Sequence, residues 1–257
     1  MHWPAEAIWE QVAPGLPGFT VEILSQIDST NTELMRRARA GQAAPVLLVA
    51  ERQTAGRGRL GRSWHSDTSG DHRTLAFSLG MALAPADWSG LSLAVGVSLA
   101  RSLHPSLKLK WPNDIWLGDR KLAGILIETA QVGVQRYAVV GVGINIEPVP
   151  AEGLRTPPAA LAELLPAATA ASVLEQVVAP LVRDVLAFEH QLFAPLRPAF
   201  TARDHLLGRA VECSDGTVGT AGGVDEAGAL LVHTASGPLK IRSAEVSVRP
   251  ATPTDSP

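Results

Sequence analysis

Residues 107–128 read LKLKWPNDIWLGDRKLAGILIE, and their pattern predicts a group of adjacent strands. The first residues of this stretch alternate between apolar and basic, as side chains do along a strand that has one buried face. Leu107, Leu109 and Trp111 therefore share the buried face. Lys110 falls on the opposite face, and we expect its side chain to leave the core.

The same stretch contains a hairpin. Pro112 ends the first strand, because the residue before a proline is held extended. The pair Gly118-Asp119 then marks a tight turn between strands at 115–117 and 121–128. The stretch therefore predicts three neighbouring strands, two of which form a hairpin.

Apolar periodicity on both sides of this stretch predicts the other elements of a large domain. Thr30 and Glu33 have the spacing of a capping box, so a helix is expected at about 32–40. Residues 1–20 are dotted with Pro and Gly and are assigned no element. The other expected elements are strands at 46–50, 75–83 and 137–146, helices at 88–103 and 171–206 with breaks at Pro180 and Pro195, and a linker with a short helical turn at 150–170.

The pattern changes beyond Leu207. Short strand-like runs separated by Gly-containing turns predict a small β-barrel, with strands at 209–213, 217–224, 229–233, 238–242 and 245–249. We therefore divide the chain into a catalytic domain at 1–206, a small barrel at 207–250 and a disordered tail at 251–257.

Composition excludes several classes of protein. The 257 residues carry a net charge of −3, which gives no broad basic surface for nucleic acid. The single cysteine, Cys213, excludes an internal disulfide and a thiolate metal cluster, and the histidines lack metal-ligand spacing. The sequence shows no signal peptide and no apolar stretch long enough to span a membrane. We expect a soluble, cytoplasmic protein without a membrane partner.

An arginine-rich and glycine-rich loop carries the clearest chemical signal. The loop reads GRGRLGR at 56–62, and residues 51–62 hold four arginines and one glutamate. Glycines allow the backbone to approach a ligand closely, and arginines match carboxylate and phosphate groups. The loop suits a site where a carboxylate meets a triphosphate. A solvated basic loop, or an element that binds RNA, remains open at this point.

Two further segments carry candidate site residues. Lys121 is at the start of a predicted strand, and the residues that share its face of the strand are apolar. Gly124 beside it permits close approach of a backbone or ligand. Ser29, Thr30 and Asn31 could place hydroxyls and an amide against a polar heterocycle. The alternatives are ordinary ones: a charge at the end of a strand for Lys121 and a helix cap for the other three.

Four motifs in this order resemble those of biotin protein ligases. They read STN at 29–31, QTAGRGRLGRSW at 53–64, KWPNDIWLGDRKLAGILIE at 110–128 and VVGVGINI at 139–146. Residues 216–249 resemble the small SH3-like barrel of that family. The resemblance implies an α+β fold: a catalytic domain with a mixed β-sheet flanked by helices, as in lipoate ligases, and a C-terminal SH3-like barrel. The short N-terminus resembles the monofunctional type, which lacks the N-terminal DNA-binding domain.

The resemblance also implies site residues. Catalytic roles fall to Lys121, Arg59 and Asp114. The implied biotin site is Ser29, Thr30, Asn31, Gln53, Gly56, Arg57, Gly58, Arg59 and Lys121. The implied ATP site is Arg57, Arg59, Arg62, Trp64, Lys110, Asn113 and Asn145. No protein metal site is assigned, beyond Asn145 as a candidate contact for the Mg²⁺ that accompanies ATP.

The implied reaction has two halves. ATP and biotin give biotinyl-5′-AMP and pyrophosphate, and biotin then passes to a lysine of an acceptor such as biotin carboxyl carrier protein. Lys121, Arg59 and Mg²⁺ would stabilise the charge of the first transition state, and Asp114 would accept or position a proton in the second. Residues 55–64 are expected to become ordered over the ligand. Residues 66–73 look like a surface insertion, and a homodimer through exposed edge strands is left open.

Three rival functions are weighed against this one. A lipoate ligase or related acyltransferase would share the fold, but the GRGRLGR and KWPND motifs are those of the biotin family. A nucleic-acid-binding module that uses the arginine loop would need a broader basic surface and stacking aromatic residues. An inactive scaffold would have no reason to keep Lys121, Arg59 and Asn145.

Overall fold

A computed structural model describes residues 2–64, 73–154, 156–242 and 248–250. Most of the predicted insertion and the whole predicted tail at 251–257 lie outside these residues. The helices are α1 (Ala5–Val12), α2 (Thr30–Arg39), α3 (Leu91–Leu103), α4 (Ala170–Gln191) and α5 (Arg197–Thr201). The strands are β1 (Thr20–Leu24), β2 (Val46–Ala50), β3 (Thr74–Ala82), β4 (Lys108–Lys110), β5 (Asp114–Leu117), β6 (Arg120–Val132), β7 (Gln135–Asn145), β8 (Ala210–Cys213), β9 (Val218–Val224), β10 (Leu230–Thr234), β11 (Gly237–Ile241) and β12 (Val248–Pro250).

The strands form two sheets. The larger has seven strands in the order β1-β2-β3-β7-β6-β5-β4, in which β1 and β2 are parallel and the other neighbours antiparallel. The smaller is antiparallel, in the order β11-β10-β9-β8-β12. The predicted α+β fold with a mixed sheet is confirmed. Closure of the small sheet into a barrel stays a prediction, because no pairing between β11 and β12 is seen among the described residues.

The larger sheet is buried on both faces. Leu47 and Val49 of β2 join the main core, which the sheet shares with α1, α3 and α4. Val46 and Leu48 point the other way and pack against Leu34 and its neighbours on α2. Burial on both faces explains why β2 reads as a continuous apolar run. Within the described part of the chain, none of the helices combines the length and the apolarity needed to cross a bilayer.

Four elements differ from the sequence-based expectation, and one of them is strand β1, which was not predicted. The helix expected from residue 32 begins at Thr30, because the hydroxyl of Ser29, rather than that of Thr30, caps it by accepting from the Thr32 backbone N–H. Helix α4 runs unbroken through Pro180, since apolar residues at helical spacing bury one of its faces against α3. Helix α1 was not predicted; it buries Ile8 and Val12. Helix α4 does end before Pro195, which lies in a separate short turn.

Candidate functional site

One cleft of about 170 Å³ collects nearly all the predicted site residues. It lies on the α2 face of the larger sheet. The predicted residues that line it are Ser29, Thr30, Asn31, Gln53, Arg57, Gly58, Arg59, Arg62, Trp64, Lys110, Asn113, Asp114 and Lys121. Gly56 and Asn145 do not line it.

Glycines form the floor of the cleft. Gly124 of β6 pairs with Gly143 of β7, and Gly141 lies two residues before Gly143 on the same face. The ring of Trp64 lies over Gly143, where a Cβ atom would overlap it, and the side chain of Asn31 occupies the same position over Gly141. The missing Cβ atoms therefore let two predicted site residues lie directly on the sheet.

One end of the cleft is polar and uncharged. The side-chain oxygen of Gln53 accepts from the backbone N–H of Thr30 at 2.8 Å. The hydroxyl of Ser78 donates to the Asn31 side-chain oxygen at 2.6 Å and also lies 2.7 Å from the hydroxyl of Thr30. The Asn31 amide nitrogen donates to Glu128 at 3.1 Å. These buried groups fix one another, so the end is preorganised for a neutral polar ligand.

The other end is strongly cationic. Six basic side chains line the cleft: Arg57, Arg59, Arg62, Lys110, Lys121 and Arg249. Of these, Arg57 pairs with Glu128, which also accepts from Asn31 at the polar end. Among the residues that the structure describes, Asp114 is the one carboxylate in the lining. Such an excess of positive charge in a cleft favours a polyanionic ligand.

Lys121 and Asp114 form an ion pair inside the cleft. The Lys121 Nζ lies 2.7 Å from the Asp114 Oδ1 and 5.9 Å from the centroid of the Trp64 ring. Next to the pair, Asn113 accepts from Arg59 at 3.3 Å and donates to the Ile125 carbonyl oxygen at 2.7 Å. Asn113 thus ties the arginine loop to β6.

Burial changes the electrostatics of two of the cations. Lys110 is only 9% exposed, and burial is the main cause that lowers its pKa to about 8, with Lys121 and Arg62 adding to the effect and Asp114 opposing it. The pKa of Arg59 is lowered by burial as well, although the guanidinium stays charged. The side chain of Lys110 does leave the apolar core, as expected, but it enters the cleft rather than bulk solvent. Its Nζ lies 5.2 Å from the centroid of the Trp116 ring.

The two predicted residues that do not line the cleft, Gly56 and Asn145, form hydrogen bonds that position residues of the lining. The Gly56 carbonyl oxygen accepts from the Trp64 N–H at 2.9 Å, which closes the base of the arginine loop. Asn145 is buried, and its amide nitrogen donates to the carbonyl oxygens of Ala159 at 3.0 Å and Lys121 at 3.4 Å. Asn145 therefore fixes the backbone of Lys121.

Sequence reasoning missed several polar residues of the site, among them Ser63, Thr156, Ser78 and Arg249. Ser78 is fully buried in the strand TLAFSLGMA, and a hydroxyl in so apolar a run is a signal that could have been used, since buried polar groups need partners. Arg249 comes from β12 of the smaller sheet, and the sequence gives no sign that this strand reaches the cleft.

Comparisons with known proteins agree with this architecture. Residues 23–145 match the Biotin/lipoate A/B protein ligase family, and residues 206–249 match the Biotin protein ligase C terminal domain. The chain is 35% identical to the biotin--[acetyl-CoA-carboxylase] ligase of Paracoccus denitrificans, over 87% of this chain and 98% of that one. It is 34% identical to the bifunctional ligase/repressor BirA of Escherichia coli, over 92% of this chain and 78% of that one.

A solved structure shares the whole fold. The biotin protein ligase from Aquifex aeolicus in complex with biotin and ATP superposes with a TM-score of 0.77 at 29% identity, over 90% of this chain and 99% of that one. The two sheets, the divided cleft and these relatives lead to one conclusion: the chain belongs to the biotin protein ligase family.

Proposed function

We propose that this chain is an ATP-dependent biotin–[biotin carboxyl-carrier protein] ligase. The observation that carries the proposal is one cleft that joins fixed, neutral polar groups to a cluster of cations and also contains the Lys121–Asp114 pair. The neutral end suits the ureido ring of biotin, and the cationic end suits a triphosphate. The biotin carboxylate would then lie beside the α-phosphorus of ATP.

In the first half-reaction, a carboxylate oxygen of biotin attacks the α-phosphorus. The new C–O–P bond gives biotinyl-5′-AMP, and the bond to the β-phosphate breaks to release pyrophosphate. Two anions must approach each other, so cations that gain strength in the transition state lower the barrier. Lys121 and Arg59 are the proposed catalytic cations.

Mg²⁺ fits this site as a companion of the nucleotide. Mg²⁺ usually keeps several waters and is held largely by the substrate phosphates, so it would bind here with the nucleotide; Asp114, the carboxylate among the described lining residues, is already paired with Lys121. No group of three or more metal-ligating side chains is found in the described ranges. When bound, the ion would neutralise phosphate charge; the protein's own part is to orient the nucleotide through its arginines and lysines.

In the second half-reaction, an acceptor lysine attacks the mixed anhydride and AMP leaves. The amine must lose a proton, and we propose that Asp114 accepts or positions it. The acceptor proposed here is a biotin carboxyl carrier domain of a carboxylase, in keeping with the names of the relatives. We propose the cytoplasm as the location of the protein, because ATP and such an acceptor would occur together there.

We further propose that residues 55–64 close over the adenylate. In the structure this loop is held by the Arg59–Asn113 contact and by the Gly56–Trp64 bond at its base. Leu60 at its tip is about half exposed and has a positive φ of 56°, an unusual conformation for a non-glycine residue. Closure would exclude water from the anhydride. We also propose that residues 1–206 form the catalytic domain and that residues 207–250 form the small C-terminal domain.

The rival functions are less well supported. A lipoate ligase is not favoured, because relatives that match most of the chain are biotin ligases and the C-terminal match is to a biotin protein ligase domain. A nucleic-acid-binding module would need cations spread over an open surface, whereas here they converge on one cleft.

The deciding experiment mixes the purified chain with ATP, Mg²⁺ and biotin, and measures biotinyl-AMP and pyrophosphate. Addition of a biotin carboxyl carrier domain should then consume biotinyl-AMP and label one lysine. Formation of product with lipoate but not with biotin would show that the chain is a lipoate ligase. Absence of product with either substrate would refute the proposed enzyme.

Gly141→Ala should weaken biotin binding about tenfold or more, the effect expected for the loss of one or two buried hydrogen bonds. The new Cβ atom would overlap the Asn31 side chain, which must then leave Ser78 and Glu128. Titration calorimetry with biotin measures the change. Gly15→Ala is the control, because its Cβ atom would meet nothing closer than 3.8 Å. Unchanged biotin affinity in Gly141→Ala would remove Asn31 from the biotin site.

A further inference from the structure

A single carboxylate joins the polar end of the cleft to the arginine loop. Glu128 lies on β6, two residues beyond Leu126 of the cleft lining and on the same face of the strand, but it does not line the cleft itself. Its Oε2 accepts from the Asn31 amide nitrogen at 3.1 Å, and its Oε1 pairs with the Arg57 guanidinium at 3.3 Å. One side chain thus contacts both helix α2 and the loop at 55–64.

The first contact fixes the orientation of the Asn31 amide. The amide nitrogen has two N–H groups, which donate to the Leu126 carbonyl oxygen at 3.2 Å and to Glu128 at 3.1 Å. The amide oxygen accepts from the Ser78 hydroxyl at 2.6 Å and can accept a second hydrogen bond. Because Asn31 lines the cleft, it presents a hydrogen-bond acceptor to a ligand. Without Glu128, one N–H group would lose its partner and the amide could rotate.

The second contact holds the beginning of the arginine loop. Arg57 lines the cleft and is bridged to Ser63 on the other side of the loop, so a contact of Arg57 affects the position of the loop as a unit. The Arg59–Asn113 contact holds this unit at the cationic end, and the Arg57–Glu128 contact holds it at the polar end. A guanidinium has five N–H donors, so the pair with Glu128 leaves donors of Arg57 for a ligand carboxylate.

We propose that Glu128 is a positioning residue that slows the dissociation of biotin. Its carboxylate keeps the Asn31 amide oriented for the ligand and at the same time holds the loop beside the ligand through Arg57. Because the two contacts share one side chain, the arrangement that binds biotin is also the arrangement in which the loop is held. Glu128 lies behind the lining and acts through these two residues. This inference rests on the proposed function, which supplies biotin as the ligand of the polar end.

The test compares Glu128→Gln and Glu128→Ala with the wild-type chain. Glutamine keeps an oxygen for Asn31 but offers no charge to Arg57, whereas alanine removes both contacts. The rate at which radiolabelled biotin dissociates should rise about threefold in Glu128→Gln, the scale of an exposed ion pair. It should rise about tenfold or more in Glu128→Ala, since a hydrogen bond to a charged group is lost as well. At about 1 M salt, where the Debye length is about 3 Å, the ratio between the Glu128→Gln and wild-type rates should shrink towards one.

A double-mutant cycle tests whether Arg57 is the partner through which the charge of Glu128 acts. In an Arg57→Ala background, the further change Glu128→Gln should have no additional effect on the rate of biotin dissociation. An effect of Glu128→Gln that is the same with and without Arg57 would overturn the inference, because Glu128 would then act through the fold and not through the loop.

Trypsin tests the hold on the loop without any ligand. Trypsin cleaves after arginine, and the loop offers Arg57, Arg59 and Arg62. Cleavage follows the population of the open loop when opening and closing are fast, so the loop of Glu128→Gln should be cleaved about threefold faster than that of the wild type. Equal rates of cleavage would overturn the inference. Should the wild-type chain neither bind biotin nor form biotinyl-AMP, the proposed function fails, and this comparison still decides whether Glu128 holds the loop.

Glu22→Gln is the matched control. Glu22 of β1 pairs with Arg37 at 2.9 Å, its side chain is 38% exposed against 22% for Glu128, and it does not line the cleft. This variant makes the same exchange of a carboxylate for an amide in an ion pair with arginine. It should leave both the dissociation of biotin and the cleavage of the loop unchanged.

Discussion

Lys121→Ala should lower the rate of biotinyl-AMP formation by roughly a thousandfold, the scale found when a preorganised transition-state contact is removed. Lys121 Nζ lies 2.7 Å from Asp114 within the cleft, and the end of its side chain lies over Gly124 of the glycine floor. Its removal has two effects: the developing phosphate charge loses a cation, and the carboxylate of Asp114 is left to repel the phosphates. Single-turnover measurement of biotinyl-AMP at saturating ATP and biotin separates this effect from binding.

A second substitution isolates the repulsion. In Lys121→Ala/Asp114→Asn the unpaired carboxylate is gone, so part of the lost rate should return. Arg120→Ala is the matched control, because Arg120 is the neighbouring base on β6 but points outward to Glu163. A wild-type rate in Lys121→Ala would remove Lys121 from the chemistry, and a double variant as slow as the single one would contradict the repulsion argument.

The parts of the fold that sequence predicted well are those set by local pattern. Strand β2 coincides with the predicted 46–50, and the hairpin of β5 and β6 turns at the predicted Gly118. Where tertiary packing outweighs local preference, prediction failed. Pro180 lies inside α4 because the neighbouring apolar residues are buried against α3, a gain that exceeds the cost of one lost backbone hydrogen bond.

The residues of the candidate site also fall into those that local sequence predicts and those that depend on tertiary structure. Motif residues such as Arg59 and Lys121 were found because their types and spacing carry the chemistry. Ser78 and the glycine floor at Gly141 depend on the strand register of β3 and β7, which no local pattern reveals. Arg249 depends on the docking of one sheet against another.

Lys110→Met should stabilise the ligand-free protein by about 1–3 kcal/mol at pH 7, since one pKa unit corresponds to about 1.4 kcal/mol. Lys110 is buried, and its pKa falls from 10.5 to about 8, chiefly through burial. At pH 7 the folded protein therefore carries a charge that its surroundings disfavour. Methionine keeps the aliphatic stem without that charge, although the contact with the Trp116 ring is lost. Urea denaturation of both proteins at pH 7 measures the difference.

The pH dependence of this difference tests its cause. Between pH 8 and 10.5 the folded protein has released the Lys110 proton, whereas the unfolded chain still binds it. The unfolded state then holds more protons, so the wild-type stability rises with pH relative to Lys110→Met. The two proteins should approach equal stability near pH 10.5. Lys108→Met, at an exposed position on the same strand, is the matched control for the replacement of a lysine by methionine. A constant difference across this pH range would contradict the burial argument.

ATP should reverse the order of stability. A triphosphate in the cleft gives the Lys110 charge a partner, so the wild-type chain binds ATP more tightly than Lys110→Met and gains more stability from it. We expect the KM for ATP to rise at least about tenfold in the variant, and wild-type kcat/KM for ATP to fall as pH rises above 8, where Lys110 becomes neutral. In Lys110→Met that fall should disappear. Burial of the Lys110 charge would then destabilise the ligand-free protein because the cleft is arranged to bind a polyanion. A Lys110→Met variant that is more stable than the wild type and binds ATP with equal affinity would refute this account.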